Sequence, residues 1–175
     1  MRIIAVDDEE NILHALKRSL KGSGWDFETF SSAHAALSRA KEGVAYDVVV
    51  ADYRMPEMDG VSFLEEFRKI QPDAERIILS GYADFGALIS AINRVEIFRF
   101  IPKPWDDPEF ALSLRQAADR RHLLMENRRL ADLVRMQQGK LTRQELELRR
   151  LEEESPGITR VKWGPDGSLL LEDFD

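Results

Sequence analysis

Short apolar runs alternate with helix-period segments along the first 118 residues of the chain. Runs rich in β-branched residues at 3–6, 46–51 and 77–79 are typical of buried parallel strands, and 27–30 and 98–101 are weaker strand candidates. Between these runs, apolar residues recur three and four positions apart, which indicates amphipathic helices. The alternation predicts an α/β fold, a doubly wound five-stranded parallel sheet with helices on both faces.

The predicted helices are marked by apolar pairs and by their end signals. The pairs are Leu13 and Leu16, Ala33 and Leu37, Phe63 and Phe67, and Leu88 and Ile92. Asp107 followed by Pro108 is expected to cap a fifth helix, because aspartate is a good N-cap and proline favours the first helical position.

A heptad register continues that fifth helix well beyond the end of a compact domain. Its a positions are Asn127, Val134, Leu141 and Leu148, and its d positions are Leu123, Leu130, Gln137, Gln144 and Leu151. Since no proline lies between Pro108 and Pro156, the sequence allows one helix of about 45 residues, roughly 65–70 Å long. Gly139 is the weak point in this helix.

A helix of this length leaves its apolar stripe uncovered, and a parallel two-stranded coiled coil is the simplest way to cover it. We therefore expect a homodimer whose interface consists of Leu123, Asn127, Leu130, Val134, Leu141, Leu148 and Leu151. The polar d positions and the facing pair Glu147 and Glu152 weaken the distal half. The alternative is a lone charged helix that docks on its own domain.

The remaining residues form a short tail. The sequence Ser155-Pro156-Gly157 is expected to end the helix, and 158–171 is typical of a strand, a turn and a strand. The predicted organisation is a domain at 1–118, a coiled-coil helix at 119–154 and a tail at 155–175 that forms a β-hairpin in this interpretation.

Composition and charge exclude several classes of protein. The 175 residues include no cysteine, which excludes disulfides, thiolate catalysis and thiolate metal sites. No apolar run is long enough to span a membrane and the amino terminus is no signal peptide, so we expect a cytoplasmic chain without a membrane partner. The net charge is −7, of which −6 lies in residues 1–118. Acids also interrupt the arginine pairs at 120–121 and 128–129, so no DNA binding is predicted.

Acidic and polar residues follow the predicted strands at their carboxyl ends. Asp7 and Asp8 follow the first strand, Asp52 follows the third, Ser80 the fourth and Lys103 the fifth. In a doubly wound sheet these loops converge on one crevice. The sequence therefore predicts a pocket with three carboxylates, a hydroxyl and an ammonium group.

Such a pocket suits phosphoryl transfer. Clustered carboxylates repel one another unless a cation neutralises them, and hard oxygen ligands favour Mg²⁺, with Mn²⁺ as an alternative. Asp52 is the best nucleophile because it ends the central strand, and Asp7 and Asp8 are positioned to hold the metal. Ser80 and Lys103 supply a hydrogen bond and an ion pair to the phosphoryl oxygens.

These residues closely resemble the response-regulator receiver family, the CheY-like domains of two-component signalling. The matching motifs, in order, are VDDE at 6–9, ADYRMP at 51–56, MDG at 58–60, SG at 80–81 and KP at 103–104. The resemblance covers about 118 of the 175 residues.

The resemblance implies a flavodoxin-like fold with sheet order 2-1-3-4-5 and further site roles. It implies that Asp52 is the phosphoacceptor for a histidine kinase or phosphotransfer protein. The Arg54 backbone carbonyl joins the metal ligands, and a cis peptide precedes Pro104. Ser80 and Phe100 form the switch, and Phe100 lacks the hydroxyl of a tyrosine.

Our leading functional hypothesis is a two-component response regulator that acts on an unidentified downstream protein through its coiled coil and tail. It is expected to catalyse only its own phosphorylation and dephosphorylation. A second hypothesis is a fragment of a larger regulator, because FRFIPKPWD at 98–106 resembles receivers that often precede cyclic-dinucleotide phosphodiesterases or cyclases. A third is a phosphorelay or phosphate-sink receiver.

Overall fold

Five parallel strands form one sheet in the order β2-β1-β3-β4-β5. The computed structural model describes residues 1–81, 95–139 and 142–156. The strands are β1 (Arg2–Val6), β2 (Asp26–Phe30), β3 (Val48–Asp52), β4 (Glu75–Ser80) and β5 (Arg99–Pro102). The predicted fold class, a flavodoxin-like doubly wound sheet with order 2-1-3-4-5, is confirmed.

Helices cover both faces of this sheet. Those in the described part of the chain are α1 (Glu10–Ser19), α2 (Ala33–Lys41), α3 (Gly60–Ile70), α4 (Asp107–Gln137) and α5 (Arg143–Glu154). The helix predicted around Leu88 and Ile92 and the predicted hairpin at 158–171 lie outside the described residues. None of the described helices is long and apolar enough to cross a membrane.

Side chains alternate between the two faces of each strand and build two hydrophobic clusters. Ile4 and Val6 of β1 pack with α2 and α3, whereas Ile3 and Ala5 pack with α1 and α4. The pattern repeats along the fully buried β3, because successive side chains of a strand point to opposite faces. The near-continuous apolar runs in the sequence reflect this double coverage.

The fifth predicted helix begins one residue earlier than its sequence signal indicated. Asp106, rather than Asp107, is the N-cap of α4, and its carboxylate accepts a hydrogen bond from the Glu109 backbone N–H at 3.0 Å. Pro108 lies in the first turn, where its missing N–H costs nothing. Two successive aspartates offer the same cap, and only the backbone geometry selects between them.

The single helix expected to run through residues 119–154 is divided in two, which corrects that prediction. Helix α4 ends at Gln137, and Gly139 has a φ of 69°, a left-handed conformation that ends helices and favours glycine. Helix α5 then starts with a capping box in which Thr142 and Glu145 exchange hydrogen bonds. Strong local end signals therefore override the continuous heptad pattern at this point.

Helix α5 folds back along α4 toward the domain. Arg149 donates a hydrogen bond to Asp132 of α4 at 2.5 Å. Farther along, α5 and Pro156 close a cavity of about 360 Å³ against Pro72 and Arg128. The alternative prediction, a charged helix docked on its own domain, therefore describes α5. Leu148 and Leu151 are on α5, whereas Leu123, Asn127, Leu130 and Val134 are on α4.

Arginines of α4 anchor this helix to the amino ends of the central strands. Arg120 pairs with Glu75 at 2.5 Å and Arg121 pairs with Asp47 at 2.8 Å. Arg128 pairs in the same way with the Asp73 carboxylate at 2.9 Å. These basic side chains thus have structural partners on the domain itself.

Gly60, the first residue of α3, is needed because the helix approaches β3 closely. A Cβ at Gly60 would lie 2.1 Å from the Asp52 carbonyl oxygen. We expect Gly60→Ala to lower the free energy of unfolding by about 1–3 kcal/mol in urea titrations, because the backbone must shift. Ala35→Ser, at an exposed position of α2, is the control and should change it by less than about 0.5 kcal/mol. Equal stabilities of the two variants would contradict the steric argument.

Candidate functional site

Three carboxylates and one ammonium group meet at the carboxyl edge of the sheet. Oxygen atoms of Asp7, Asp8 and Asp52 all lie within 4.8 Å of one another. The Lys103 Nζ lies 2.7 Å from Asp7 Oδ2 and 2.6 Å from Asp52 Oδ1. The sequence-predicted residues at the ends of β1, β3 and β5 are therefore brought together, as expected for parallel strands that end at one edge.

Burial controls the ionisation of this cluster. Asp7 is fully buried and Asp52 is 6% exposed, whereas Asp8 is exposed to solvent. Burial raises the pKa of Asp7 and of Asp52, although hydrogen bonds from Lys103 act in the opposite direction. Burial lowers the pKa of Lys103, but its hydrogen bonds to Asp52 and Asp7 outweigh that effect and leave the pKa raised. A second cation would therefore be favourable in this pocket.

Backbone groups orient both buried carboxylates. Asp7 Oδ1 accepts a hydrogen bond from the Glu9 N–H at 2.9 Å, and Asp52 Oδ2 accepts one from the Arg54 N–H at 2.9 Å. Each carboxylate thus presents one oxygen to the backbone and the other to Lys103. Because a carboxylate oxygen has two lone pairs, each of these oxygens can also coordinate a metal ion.

Ser80 contributes a buried hydroxyl at the end of β4. The residue is 1% exposed, and its Oγ has no hydrogen-bond partner among the residues that the structure describes. The backbone around it is ordered, since the Lys103 N–H donates to the Ser80 carbonyl at 2.8 Å. A buried hydroxyl without a partner costs about 1–3 kcal/mol, so a negatively charged oxygen placed here would be bound favourably.

The donor set fits Mg²⁺. Three carboxylates supply hard oxygen atoms, and two of them are buried and already oriented. The structure directs the Arg54 N–H toward Asp52, whereas coordination by the Arg54 carbonyl stays a prediction. The same oxygen ligands suit Mn²⁺.

Two other predicted residues lie on or directly after β5. Phe100 is half-buried and packs against the cluster formed with α2 and α3. The peptide bond between Lys103 and Pro104 is cis.

The loop between β3 and α3 has structural roles that sequence reasoning did not assign. Asp59 caps α3 by accepting hydrogen bonds from the Ser62 N–H at 2.9 Å and from its hydroxyl at 3.0 Å. Gly60 brings α3 against the backbone of Asp52. The MDG sequence at 58–60 carried this signal, because aspartate before glycine at a helix start is typical of a cap beside a close contact.

Mg²⁺ is expected to stabilise the protein through this cluster. At about ten times its dissociation constant, the ion should raise the free energy of unfolding by about 1.4 kcal/mol. Asp8→Asn should remove most of this increase, because it deletes one negative ligand. The matched control is Glu10→Gln, an exposed acid of α1 outside the cluster. Thermal unfolding with and without Mg²⁺ measures the effect, and equal stabilisation of both variants would show that the ion binds elsewhere.

Comparisons with known proteins agree with this fold. The hydrogenase transcriptional regulatory protein HoxA of Bradyrhizobium diazoefficiens is 34% identical over 116 residues, which are 66% of this chain and 23% of that protein. The crystal structure of an uncharacterized protein from Neptuniibacter caesariensis matches with a TM-score of 0.68 and 43% identity, covering 72% of this chain and 93% of that one.

A second solved structure is the signal receiver domain of an HD domain-containing protein from Pseudomonas fluorescens Pf-5. It has a TM-score of 0.64 and 35% identity, over 69% of this chain and 96% of that one. This chain spans 22% of the length of the DNA-binding transcriptional regulator NtrC of Klebsiella pneumoniae and 28% of the regulatory protein AtoC of Escherichia coli. The sequence also matches the response regulator receiver domain over residues 3–115. The chain therefore belongs to the response regulator receiver family.

Proposed function

We propose that Asp52 accepts a phosphoryl group from the phosphohistidine of a histidine kinase or phosphotransfer protein. The proposal is carried by two observations: Lys103 bridges Asp52 and Asp7, and the buried Ser80 hydroxyl has no partner in the part of the chain that the structure describes. Together these groups form an anion site next to a buried nucleophile. A cytoplasmic location and a role limited to self-catalysed phosphorylation and dephosphorylation belong to the same proposal.

In the proposed transfer, an Asp52 carboxylate oxygen attacks phosphorus. The new O–P bond forms as the P–N bond of the phosphohistidine breaks, and the electron pair of that bond returns to the imidazole. Mg²⁺ held by Asp7, Asp8, Asp52 and the Arg54 carbonyl would neutralise charge on the transferred group. The aspartate is prepared for this role because its carboxylate is fixed by the Arg54 N–H and by Lys103.

Lys103 and Ser80 would stabilise the product. Lys103 can pair with one phosphoryl oxygen in place of a carboxylate, and the Ser80 hydroxyl can donate to another. Phosphorylation adds nearly two negative charges, so both donors gain a stronger acceptor than they have in the unphosphorylated state.

Ser80 and Phe100 form the proposed switch. Phe100 carries no hydroxyl, so packing alone holds any inward position of its ring.

The proposed output is a homodimer that contacts a downstream protein. Four interface positions lie in a row on α4, and we call Leu123, Asn127, Leu130 and Val134 the seam. Its apolar members are exposed by 66%, 51% and 50%, although they are large and hydrophobic. A second copy would cover them at the a and d positions of a coiled coil. Leu141 lies outside the described residues.

A second candidate is the receiver portion of a larger regulator. Two observations favour it: the chain spans about a quarter of its curated regulatory relatives, 23% of HoxA, and the Pseudomonas structure is the receiver of an HD domain-containing protein. Such a regulator would carry its catalytic output beyond α4, which we call the stem, and α5. The reading frame after Asp175 tests this candidate, because a stop codon there would remove it. A third candidate is a phosphorelay or phosphate-sink receiver. It uses the same Asp52 chemistry without a dimeric output and without a catalytic output.

Asp52→Asn should abolish phosphorylation, because an amide cannot form the acyl phosphate. Wild-type protein incubated with Mg²⁺ and acetyl phosphate should gain one phosphoryl group that hydroxylamine releases, as measured by intact mass. The control variant is Asp119→Asn, an exposed acid of α4 that should leave labelling unchanged. Equal labelling of the Asp52 variant and the wild type would place the phosphoacceptor elsewhere.

Leu130→Lys should weaken the dimer, because it places two charges at the centre of the paired seam. Light scattering across a concentration series should show a dimer for wild type and a monomer for the variant. Leu112→Lys is the matched control, since Leu112 is also on α4 and 52% exposed but lies outside the heptad a and d positions. A wild type that stays monomeric at every concentration would refute the dimeric output while leaving the phosphoacceptor proposal intact.

A further inference from the structure

The heptad positions divide between two helices that run in opposite directions. Val134, an a position, is on α4, whereas Leu148, the a position two heptads later, is on α5. Helix α5 returns along α4, as Arg149 contacts Asp132 and the end of α5 approaches Arg128. One straight coiled coil cannot include both parts of the register in this arrangement.

The contact with α5 lies on the side of α4 that faces away from the seam. At about 100° per residue, Asp132 is rotated by about 200° from both Leu130 and Val134. Asp132 is 3% exposed, and its Oδ1 accepts hydrogen bonds from Arg149 at 2.5 Å and from Arg135 at 3.2 Å. The folded α5 therefore leaves the seam open to a partner.

Charge on either side of the heptad positions supports pairing through α4 and opposes it through α5. In a parallel dimer, each g position faces the e position of the next heptad on the partner helix. Glu126 would face Ala131 on α4, so no like charges meet there. On α5, Glu147 would face Glu152, and two carboxylates at that distance repel each other.

Local signals keep α5 folded back. Extending α4 into α5 would require Gly139 to leave its left-handed conformation and would break the capping box of Thr142 and Glu145. It would also remove Arg149 from the buried carboxylate of Asp132. The polar d position Gln144 would add little packing to a continuous coiled coil.

We infer that two copies of this chain pair through the seam of α4 alone, while each α5 stays folded as a brace on the outer side of its own α4. This inference rests on the proposed dimer and names its partner surface. The brace pairs with α4 through Arg149 and lines one cavity with the loop at Pro72 that precedes β4, so it lies between the stem of the dimer and the receiver. From Leu123 to Val134 the seam is only about 17 Å long, which predicts a weak, concentration-dependent dimer.

Single cysteines test the seam without background, because the chain contains none. Val134→Cys and Leu148→Cys form a matched pair, since both are a positions and the native side chains are 50% and 53% exposed. Under mild oxidation, Val134→Cys should form the disulfide-linked dimer at least about tenfold faster than Leu148→Cys, because only the first lies in the seam. Equal rates for the two would support a continuous coiled coil and overturn the inference.

A second measurement follows the brace within one chain. Arg129 and Arg150 line the same cavity between α4 and α5, so a short bifunctional reagent should link cysteines placed at these two positions intramolecularly. The link should form equally well below and above the concentration at which the chain dimerises. Loss of the link on dimerisation would show that α5 straightens, which also overturns the inference.

Equal crosslinking rates, or loss of the intramolecular link on dimerisation, can each be distinguished from absence of the dimer itself. If Val134→Cys forms no linked dimer and light scattering shows only monomer, the proposed dimer and the seam are both refuted. Arg149→Ala should reduce the intramolecular link, whereas Arg150→Ala should preserve the brace, because Arg150 pairs only with Glu154 of its own helix among the described contacts. For these two alanine variants, the intramolecular link is measured with the cysteines placed at Arg129 and Glu147, which line the same cavity.

Discussion

The structure depends on one buried ammonium group that holds two buried carboxylates together. Lys103 lies 2.7 Å from Asp7 and 2.6 Å from Asp52, and all three side chains are less than one-fifth exposed. An isolated charge in such a place costs several kcal/mol, and two like charges without a cation cost more. The ends of β1, β3 and β5 are therefore tied to one another by charge. The same arrangement fixes Asp52 at the sheet edge, where an anion could replace one of the two carboxylate partners of Lys103.

The sequence was sufficient to predict this site because its residues follow strands whose order and direction are strongly constrained. A buried parallel strand appears as an apolar run, and the residue after the run lies at the carboxyl edge of the sheet. Asp7, Asp52 and Lys103 were placed by that rule alone. Spacing could not show that the Ser80 hydroxyl has no partner among the described residues, nor that Gly60 must lack a side chain, since both facts depend on distances in the folded chain.

The stem shows where periodicity was informative and where it was not. The heptad pattern correctly located an exposed apolar row on α4, because a helix repeats its faces regularly. The same pattern predicted continuity through Gly139, where a left-handed residue ends the helix. The contact that fixes the return of α5, between Arg149 and Asp132, joins residues 17 positions apart and has no periodic signature. Sequence pattern therefore indicates which face a helix presents, and long-range charge determines where the next helix lies.

Strand β4 joins two regions on which the proposed signalling depends: the carboxyl edge of the sheet and the contact with α4. Ser80 ends this strand at the carboxyl edge of the sheet, and Glu75 begins it in an ion pair with Arg120 of the stem. The stem also starts close to the pocket, since α4 begins at Asp107, four residues after Lys103. A phosphoryl group that draws Ser80 and Lys103 toward it would therefore act on both attachments of α4 at once. Because packed elements move as units between discrete arrangements, a small displacement at the pocket is better transmitted by this braced stem than by a flexible tail.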